Sequence, residues 1–539
     1  RQVSSTEGLT KMRTSCHGCI QMCPAIAYLK DGVVVRLEGD PEAPVSRGSL
    51  CIKGLNQLHT MYSPRRILHP LRRAGERGEN KWEVISWDEA ITEAATHIKD
   101  AIDQYGNYAF FASVGGGGSY SFMEAMTLPM AFGSPTVFEP GCAQCYLPRW
   151  ALSKLFYGGD DQSIADNAVQ EIFKVNDNKT EVVVIWGAQP SVSETAESGR
   201  GMAELRAAGV KTVVVDPNFS PDAVKADVWL PVRPGTDTAF LLAVAYEMVR
   251  LDEERGDIID WDFVNERTVG FTPETMPADA TTDENFRDYL LGAYDNTPKT
   301  PEWATEICGT PVEDITWYAE MAGKNNAVMF LHSYAASRYL GAENLSQAFM
   351  TVSALGGHFG KSGHGSAAIY TWDAGDSGYR LIQHVGGDYG YVDNLVGSPA
   401  ATGPNRNIEG NSWWSSLADG KYLSSSEGPY DLGSSDVVGD PTKLRANTPV
   451  YHEAREMPVN PRMLVQTNSN FMQTRGNLAT AIKVMRAADT CVSFEIKFSL
   501  TAQFADIILP VCTHWEGNDD ESWGCLLYTS PSPRDYAAS

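Results

Sequence analysis

The sequence lacks long apolar runs, and no hydrophobic stretch approaches the roughly 18–20 residues that a membrane-spanning helix needs. Basic residues are also scarce, since 43 Lys and Arg stand against 68 Asp and Glu, a formal net charge of −25. This balance argues against nucleic acid or an anionic membrane as the main partner and indicates an acidic, solvated surface. Ten cysteines in 539 residues are too few for a disulfide scaffold.

The length of the chain indicates how many domains to expect, and its two ends indicate which residues belong to the natural protein. Because 539 residues exceed one ordinary hydrophobic core, two to four domains are expected. The sequence begins with Arg1 rather than Met, so the natural N-terminus is expected to be missing. Residues 525–535 read like translated adapter sequence, so 525–539 are expected to be a non-native tail.

Four cysteines form the most informative motif. Cys16, Cys19 and Cys23 lie within eight residues, and Cys51 follows after 27 more. Thiolates select zinc or iron–sulfur clusters over hard cations, and this spacing is typical of a [4Fe–4S] centre. The alternatives are a structural zinc site, which usually pairs two C-x2-C knuckles, and disulfides.

Local signals predict the elements around this motif. The Asp31-Gly32 pair predicts a hairpin within residues 27–36, in a small β-rich cap that carries the cysteine loop. Ser86 and Glu89 predict a capping box that opens a helix. A buried strand is expected at residues 109–114, and the glycines at 115–118 would let backbone amides approach an anion.

From residue 181 the pattern is α/β, and it occurs twice. The first copy predicts a strand at 181–187, a helix near 194–208 and a strand at 213–217; the second predicts a strand at 463–468, a helix near 478–488 and a strand at 490–495. At a constant offset of 279 residues, the following pairs correspond: Ser220 and Ser499, Asp227 and Asp506, Asp216 and Glu495, Gln189 and Asn468.

An acidic residue at the carboxyl end of a parallel strand can accept hydrogen bonds from a ribose or guanine. The repeat therefore predicts two nucleotide half-sites, with two generic α/β repeats as the alternative. Residues 251–326 are expected to be surface insertions and helices, and residues 327–331 a buried strand. The long aromatic-rich stretch 365–460 is interpreted as a functional lid or an ordinary insertion.

Several motifs together resemble the molybdopterin oxidoreductases of the dimethyl sulfoxide reductase family. The motifs are the cysteine set with residues 51–54, residues 86–90, Val215-Asp216-Pro217, residues 233–237 and residues 504–510. Residues 299–304 and 515–519 resemble the catalytic subunits of anaerobic dimethyl sulfoxide reductases in particular. The similarity extends over about residues 12–524.

The resemblance implies a multidomain α/β fold without the family's C-terminal β-barrel. The domains would be a [4Fe–4S] cap at 1–65, an α/β domain with one dinucleotide half-site at 66–160 and 350–524, and a second such domain at 161–349. These would be two related doubly wound domains. Two dinucleotide half-sites match the family's bis-(molybdopterin guanine dinucleotide) cofactor, which holds molybdenum or tungsten.

The resemblance also implies roles for residues. The expected cofactor-binding residues are Lys53, Gly187, Gln189, Asp216, Pro217, Asp227, Arg233, Gly235, Asp237, Asn468, Glu495 and Asp506. The metal would take one ligand from residues 133–148, and counting back twelve positions from Tyr157 gives Cys145. Cys142 is the alternative ligand, and both cysteines could instead be packed thiols. Lys53 would bridge cluster and pterin.

The function that follows is a two-electron reduction of a small S-oxide, N-oxide or oxyanion, with Cys145 and Lys53 as catalytic residues. A thiolate ligand departs from the serine of the close relatives and leaves the substrate open. The alternatives are reductive dehydroxylation of a phenolic substrate, a non-redox hydratase or transhydroxylase, and a cofactor-free zinc module. A hydratase of the wider family carries Asp after the second cluster cysteine, where this chain has Ile20.

The resemblance finally implies partners and a location. A ferredoxin-like electron-transfer subunit and a membrane anchor subunit are expected. The enzyme would lie on the outer face of the cytoplasmic membrane, exported by a twin-arginine signal, with the cytoplasm as the alternative. His332, Ser333, Tyr334 and Arg338 follow the predicted strand at 327–331 and are candidates for positions near the metal, with a structural histidine as the alternative.

Overall fold

The computed structural model describes residues 4–16, 18–19, 23–43, 46–106, 109–114, 136–137, 180–196, 198–333, 338–339, 341–368, 407–408, 412–424, 455–467 and 469–516. The chain divides into two compact units. Unit 1 comprises Arg1–Gln144 and Gly375–Ser539, and unit 2 comprises Cys145–Ala374.

The described strands are β1 Thr10–Ser15, β2 Pro24–Lys30, β3 Val33–Gly39, β4 Leu71–Arg73, β5 Trp82–Val84, β6 Phe110–Val114, β7 Thr136–Val137, β8 Val182–Trp186, β9 Lys211–Val215, β10 Val228–Leu230, β11 Val328–His332, β12 Gly365–Ala368, β13 Asn407–Ile408, β14 Lys421–Ser424, β15 Arg455–Pro458, β16 Met463–Thr467, β17 Thr490–Glu495 and β18 Ile507–Pro510.

The described helices are α1 Ile52–Leu55, α2 Gln57–Met61, α3 Trp87–Tyr105, α4 Pro190–Ser193, α5 Ser198–Ala207, α6 Asp237–Arg255, α7 Trp261–Arg267, α8 Phe286–Leu290, α9 Pro301–Cys308, α10 Val312–Met321, α11 Glu343–Leu355, α12 Trp413–Asp419, α13 Phe471–Thr474, α14 Leu478–Ala487 and α15 Leu500–Gln503. Short 3-10 helices span Ala223–Lys225 and Pro273–Thr275.

The N-terminal cap is an antiparallel sheet in the order β1-β2-β3, followed by α1 and α2. Asp31 and Gly32 join β2 to β3 with positive φ angles of 51° and 80°. Two consecutive positive φ angles are the conformation of a tight type I′ hairpin turn, which Asp-Gly favours. The predicted hairpin is confirmed. Leu37, Leu58 and Met61 form the small apolar core beneath it.

The large sheet of unit 1 has the order β13-β7-β6-β16-β17-β18-β4-β5. The first six strands are parallel, whereas β4 and β5 close one edge antiparallel. Numbered along the chain, the parallel strands follow the order 3-2-1-4-5-6 of a doubly wound sheet. Helix α3 begins with the predicted capping box, since the Ser86 hydroxyl accepts from the Glu89 backbone N–H and the Glu89 carboxylate accepts from the Ser86 backbone N–H.

The sheet of unit 2 has five parallel strands in the order β10-β9-β8-β11-β12, which is 3-2-1-4-5 along the chain. Strands β8 and β11 are buried over their whole length, which explains their continuous apolar sequences. Trp186 lies in an aromatic core, with ring centroids 5.3 Å from Phe240, 6.0 Å from Tyr318 and 5.7 Å from Phe349. The predicted doubly wound α/β fold is confirmed in both units.

Two sequence interpretations need correction. Residues 251–326 are not merely surface insertions, because Ala304, Ile315 and Tyr318 of α9 and α10 are fully buried in the core of unit 2. Within the stretch 365–460, Trp413 and Trp414 are also core residues, only 2% and 3% exposed. Tyr422 of β14 belongs to the same core, and the other aromatic residues of this stretch lie outside the described residues. Strand β12 belongs to the sheet of unit 2, and the predicted domain boundaries remain predictions.

The internal repeat is present as structure. Strands β8 and β16 correspond at an offset of 281 residues, whereas β10 and β18 correspond at 279. The structural equivalent of Gln189 is therefore Asn470 rather than Asn468: each is the N-cap of a one-turn helix, with φ, ψ of −129°, 69° and −118°, 69°. A constant offset of 279 is wrong for the first part of the repeat. Between the short helix and the next strand, the second copy has two residues fewer than the first, so the offset falls from 281 to 279.

Among the helices that the structure describes, none combines the length and apolarity required to cross a membrane.

Candidate functional site

The cap holds the predicted cluster cysteines. Cys16 and Cys23 are 6% and 5% exposed, and Cys19 and Cys51 are partly buried. The Cys16 backbone N–H donates to the Cys23 carbonyl at 2.8 Å, which closes the loop at the ends of β1 and β2. None of the seven cysteines in the described part of the chain forms a disulfide, so the disulfide alternative is wrong for these residues.

The electrostatics around Cys16 show which groups surround it. Burial raises the pKa of the Cys16 thiol to about 12, and the Gly18 backbone N–H, which donates to the sulfur, lowers it. The nearby Cys19 and Cys51 raise this pKa further, whereas the Lys53 ammonium lowers it. The structure therefore brings three of the four thiols and Lys53 into one neighbourhood, although they span 38 residues of sequence.

The arrangement of the cap cysteines must be compared with two kinds of metal site, a cluster of several iron atoms and a single metal ion. Across the described ranges, no three or more His, Cys, Asp or Glu side chains are grouped to hold one metal ion. A cubane cluster bonds each cysteine sulfur to a different iron atom and does not require such a group.

The carboxyl edge of the unit 2 sheet collects several predicted cofactor residues. The turn after β8 contains Gly187, whose φ of 61° suits glycine and whose N–H donates to the Val215 carbonyl at 2.8 Å. The Ser333 backbone N–H donates to the Trp186 carbonyl at 3.0 Å, which joins the ends of β8 and β11. The strand order reverses between these two strands, and open α/β sheets bind ligands beside such a point.

Asp216 and Glu495 occupy equivalent positions at the carboxyl ends of β9 and β17. Asp216 is 5% exposed, and its carboxylate accepts from the Asn218 backbone N–H at 2.7 Å. Burial raises the pKa of Asp216 and raises that of Glu495 to about 7. Pro217, which follows Asp216, has no backbone N–H that could donate to the Asp216 carboxylate. The Glu495 carboxylate is partly buried and accepts from the Ser493 and Ser499 hydroxyls. Both strand-end carboxylates have further acceptor positions and thus the chemistry needed to receive N–H or O–H groups from a nucleotide.

Asp237 lies at the start of α6, against the end of β8. Its carboxylate accepts from the Trp186 indole N–H at 2.8 Å, and burial raises its pKa. Gly235 has a φ of 81°, and a Cβ there would lie 3.7 Å from the Tyr339 ring. No sequence pattern indicates Tyr339, and Trp186 reads as one more apolar residue of a buried strand.

Arg233 has a different place from the one expected. Its guanidinium donates to the carbonyls of Glu306 and Ile307 at 2.9 and 3.0 Å, where it caps the C-terminus of α9. We therefore assign Arg233 a structural role rather than a place in a dinucleotide pocket.

Asp227 and Asp506 also lie away from the carboxyl edges. The Asp227 carboxylate accepts from the Thr212 backbone N–H, and the Asp506 carboxylate from the Cys491 backbone N–H, both at 2.7 Å. Thr212 and Cys491 are the second residues of β9 and β17, so these aspartates lie at the amino ends of the strands. Each aspartate fixes the amino end of its strand in both copies of the repeat, and we assign both a structural role rather than one in cofactor binding.

This structural role predicts unequal costs for two matched substitutions. Asp506 also binds Arg73 and the buried Arg77, which is 8% exposed, whereas Asp227 has no arginine partner among the described ion pairs. Asp506→Ala should lower the free energy of unfolding by about 3 kcal/mol, because Arg77 loses its counter-charge. Asp227→Ala should cost about 1 kcal/mol, because the Asp227 side chain is exposed and its described hydrogen bonds are neutral, partly buried ones donated by Thr212. Urea denaturation measures both, and equal costs would contradict this assignment.

The structure describes some of the remaining candidate residues and not others. Cys142, Cys145, Asn468 and Tyr334 lie outside the described residues, so their predicted roles stay predictions. His332 ends β11, is 1% exposed, and packs edge-to-face against Phe349 at 4.8 Å. This packing favours the structural alternative for His332.

Comparison with known proteins decides the family. The profile of the molybdopterin oxidoreductases matches residues 66–521, and that of the molybdopterin oxidoreductase Fe4S4 domain matches residues 9–63. The chain belongs to the molybdopterin oxidoreductase family. Its cofactors are accordingly molybdopterin-bound molybdenum and a [4Fe–4S] cluster. The cysteine thiols of the cap fit a cluster, and the strand-end carboxylates Asp216 and Glu495 fit a nucleotide-bearing cofactor.

Several relatives of this molybdopterin oxidoreductase are named as reductases. Dimethyl sulfoxide reductase DmsA of Haemophilus influenzae is 26% identical over 93% of this chain and 59% of the relative. Dimethyl sulfoxide reductase DmsA of Escherichia coli is 25% identical over 95% of this chain and 59% of the relative. Thiosulfate reductase molybdopterin-containing subunit PhsA of Salmonella typhimurium is 25% identical over 96% and 60%. The chain thus spans about 60% of the length of these relatives.

One solved structure confirms the fold independently of close sequence similarity. Acetylene hydratase from Pelobacter acetylenicus superposes with a TM-score of 0.61 at 19% identity, covering 97% of this chain and 68% of that chain. At this identity the similarity concerns the fold alone.

Proposed function

We propose that this molybdopterin oxidoreductase is the catalytic subunit of an anaerobic respiratory reductase that removes oxygen from a small S-oxide, N-oxide or oxyanion. The observation that carries the proposal is the cap, where Cys16, Cys19, Cys51 and Lys53 lie together. A redox cluster at this position would deliver single electrons, and a reductase is the class of molybdopterin enzyme that consumes them. The named relatives act on dimethyl sulfoxide and thiosulfate.

Four cysteines would hold the cluster: Cys16, Cys19, Cys23 and Cys51. Lys53 is the cation placed beside them, and its charge favours the more negative, reduced state of a nearby centre. The Gly18 N–H that donates to the Cys16 sulfur favours that state as well. The chain thus supplies positive charge and a hydrogen-bond donor to one side of the cluster.

Two dinucleotide half-sites would hold the pterin cofactor, one on each doubly wound sheet. In unit 2 the proposed binding residues are Gly187, Gln189, Asp216, Pro217, Gly235 and Asp237. In unit 1 they are Glu495 and Asn468, with Asn470 as the structural counterpart of Gln189. The carboxylates would accept hydrogen bonds from guanine, and the turns after β8 and β16 would let backbone amides approach the phosphates.

Cys145 is proposed as the protein ligand of molybdenum or tungsten. The bound metal supplies the two-electron chemistry that breaks the bond to oxygen. A thiolate donates more electron density than the serine of the close relatives, and it therefore sets a different substrate preference. Cys142, three residues earlier, is the matched control for this assignment.

Partners and location complete the proposal. Three relatives are named as a reductase chain or subunit, and a cluster in an N-terminal cap needs an electron donor. We infer a ferredoxin-like electron-transfer subunit and a membrane anchor subunit, with the assembly on the outer face of the cytoplasmic membrane.

A viologen-linked assay tests the function. Purified cofactor-loaded protein should oxidise reduced viologen in the presence of at least one S-oxide, N-oxide or oxyanion, and Cys145→Ala should abolish turnover while Cys142→Ala retains it. Turnover of phenolic compounds alone would replace the proposed substrate class by dehydroxylation. Substrate conversion without viologen oxidation would instead establish a non-redox reaction and refute the reductase.

A further inference from the structure

Gly54 in the cap has no conformational reason to be glycine. It lies in α1, where its backbone is helical and φ is negative, so any residue could adopt this conformation. Glycine is a poorer helix former than alanine, which makes its presence unfavourable for the helix itself. The presence of glycine at position 54 is therefore explained by a lack of room for a side chain.

The space around Gly54 is occupied by two side chains. A Cβ at Gly54 would lie 2.6 Å from Leu50 Cδ1 and 2.9 Å from the Cys16 sulfur, both too close for an unstrained contact. The Leu50 Cγ would also lie 2.8 Å from this Cβ, and Leu50 packs against the cap core, so it must change rotamer to make room. Cys16 can turn away only while it holds no metal, because ligation fixes the direction of its sulfur.

The same sulfur is bounded on a second side by Gly18. A Cβ at Gly18 would lie 3.5 Å from the Cys16 sulfur and 3.3 Å from the Gln57 amide nitrogen. These distances are longer, and the Gln57 side chain is flexible. Alanine should therefore be tolerated better at position 18 than at position 54. The two substitutions thus test a smaller and a larger steric conflict with the same sulfur.

We propose that Gly54 is a positioning residue for the cluster, because its missing side chain leaves the space in which the Cys16 sulfur must lie to bind iron. The inference rests on the proposed role of Cys16 as a cluster ligand. It assigns to Gly54 a function in cluster assembly and reduction potential, separate from the stability of the metal-free cap.

The test compares four variants of the full chain, purified without oxygen: Gly54→Ala, Gly18→Ala, Gly476→Ala and Gly54→Ala with Leu50→Ala. Gly476 is the control, since a Cβ there meets nothing within 4 Å and its φ is not positive. The readouts are iron per chain, the rate of iron loss to a ferrous chelator, and the midpoint potential of the cluster by EPR-monitored titration. Circular dichroism reports folding of the metal-free protein.

Gly54→Ala should lose iron about 10- to 100-fold faster than wild type, as is usual for groups that orient a metal ligand. Its cluster potential should shift, and the metal-free chain should fold normally. Gly18→Ala should show a smaller effect and Gly476→Ala none. The double variant should behave like Gly54→Ala, because removing the Leu50 side chain leaves the Cys16 contact in place.

Two results would overturn the proposal. One is wild-type iron retention and potential in Gly54→Ala; the other is full recovery in the double variant, which would make Leu50 packing the cause. If Gly54→Ala fails to fold, the double variant still separates these causes. Wild-type protein without iron would instead refute the proposed function itself, and is thereby distinguished from failure of this inference.

Discussion

Cys16→Ser should remove the cluster from this protein almost completely. The Cys16 sulfur is buried, accepts the Gly18 N–H, and lies among Cys19, Cys51 and Lys53. An alkoxide is a poor substitute because a serine hydroxyl has a far higher pKa than a thiol and binds iron weakly. Iron should fall from about four atoms per chain to near zero, and viologen-linked activity should be lost with it.

The exposed thiol of Cys512 provides the control. Cys512→Ser should keep iron content and activity at the wild-type level, because no described cluster residue contacts it. If Cys16→Ser retains a full complement of iron, the cluster does not use this thiol. The interpretation of the whole cysteine motif would then be wrong.

Glu495→Gln should weaken guanine-nucleotide binding and at the same time stabilise the nucleotide-free protein. Loss of a hydrogen bond to a charged acceptor costs about 1.5–3 kcal/mol, which is about a 10- to 150-fold increase in the Kd for GDP. Binding should be measured by calorimetry on cofactor-free chain at several pH values. Asp216→Asn should give a comparable loss in the other half-site.

The pH dependence follows from the raised pKa of Glu495. Burial raises this pKa to about 7 from 4.5, so folding is favoured by the protonated form. The stabilisation is complete below pH 4.5 and is lost as the pH rises through 7. Glu495→Gln, which cannot ionise, should therefore be more stable than wild type above pH 7, by at most about 3 kcal/mol.

Nucleotide binding should show the opposite pH trend, because guanine N–H groups need an ionised acceptor. Wild-type affinity for GDP should rise as the pH passes through 7, whereas the affinity of Glu495→Gln should stay flat. Glu456→Gln, which alters an exposed carboxylate of the same unit, should change neither property. A Glu495→Gln variant with wild-type affinity at pH 8 would exclude Glu495 from the half-site.

The sequence predicted the elements wherever a single local signal determines them. Asp31-Gly32 specified a turn that few other dipeptides can form, and Ser86 with Glu89 specified a helix start. The buried strands β8, β9, β16 and β17 were identifiable because parallel strands covered on both faces must be apolar throughout. These rules depend on residues close in sequence.

The errors arose where the partner of a residue is distant in sequence. Asp227 and Asp506 repeat as a pair, which resembled a binding signature, yet each stabilises the amino end of a strand. Arg233 follows a strand but caps a helix more than 70 residues later. The stretch 365–460 reads as a functional lid or an ordinary insertion, yet its Trp413 and Trp414 are buried in a core of unit 1. A repeated residue indicates that its side chain has a role, whereas only its contacts show whether that role is binding or structural.

Metal analysis of the protein purified without oxygen tests the account most directly. The protein should contain about four iron atoms and about one molybdenum or tungsten atom per chain, with no stoichiometric zinc. One zinc atom per chain, without iron, molybdenum or tungsten, would contradict it.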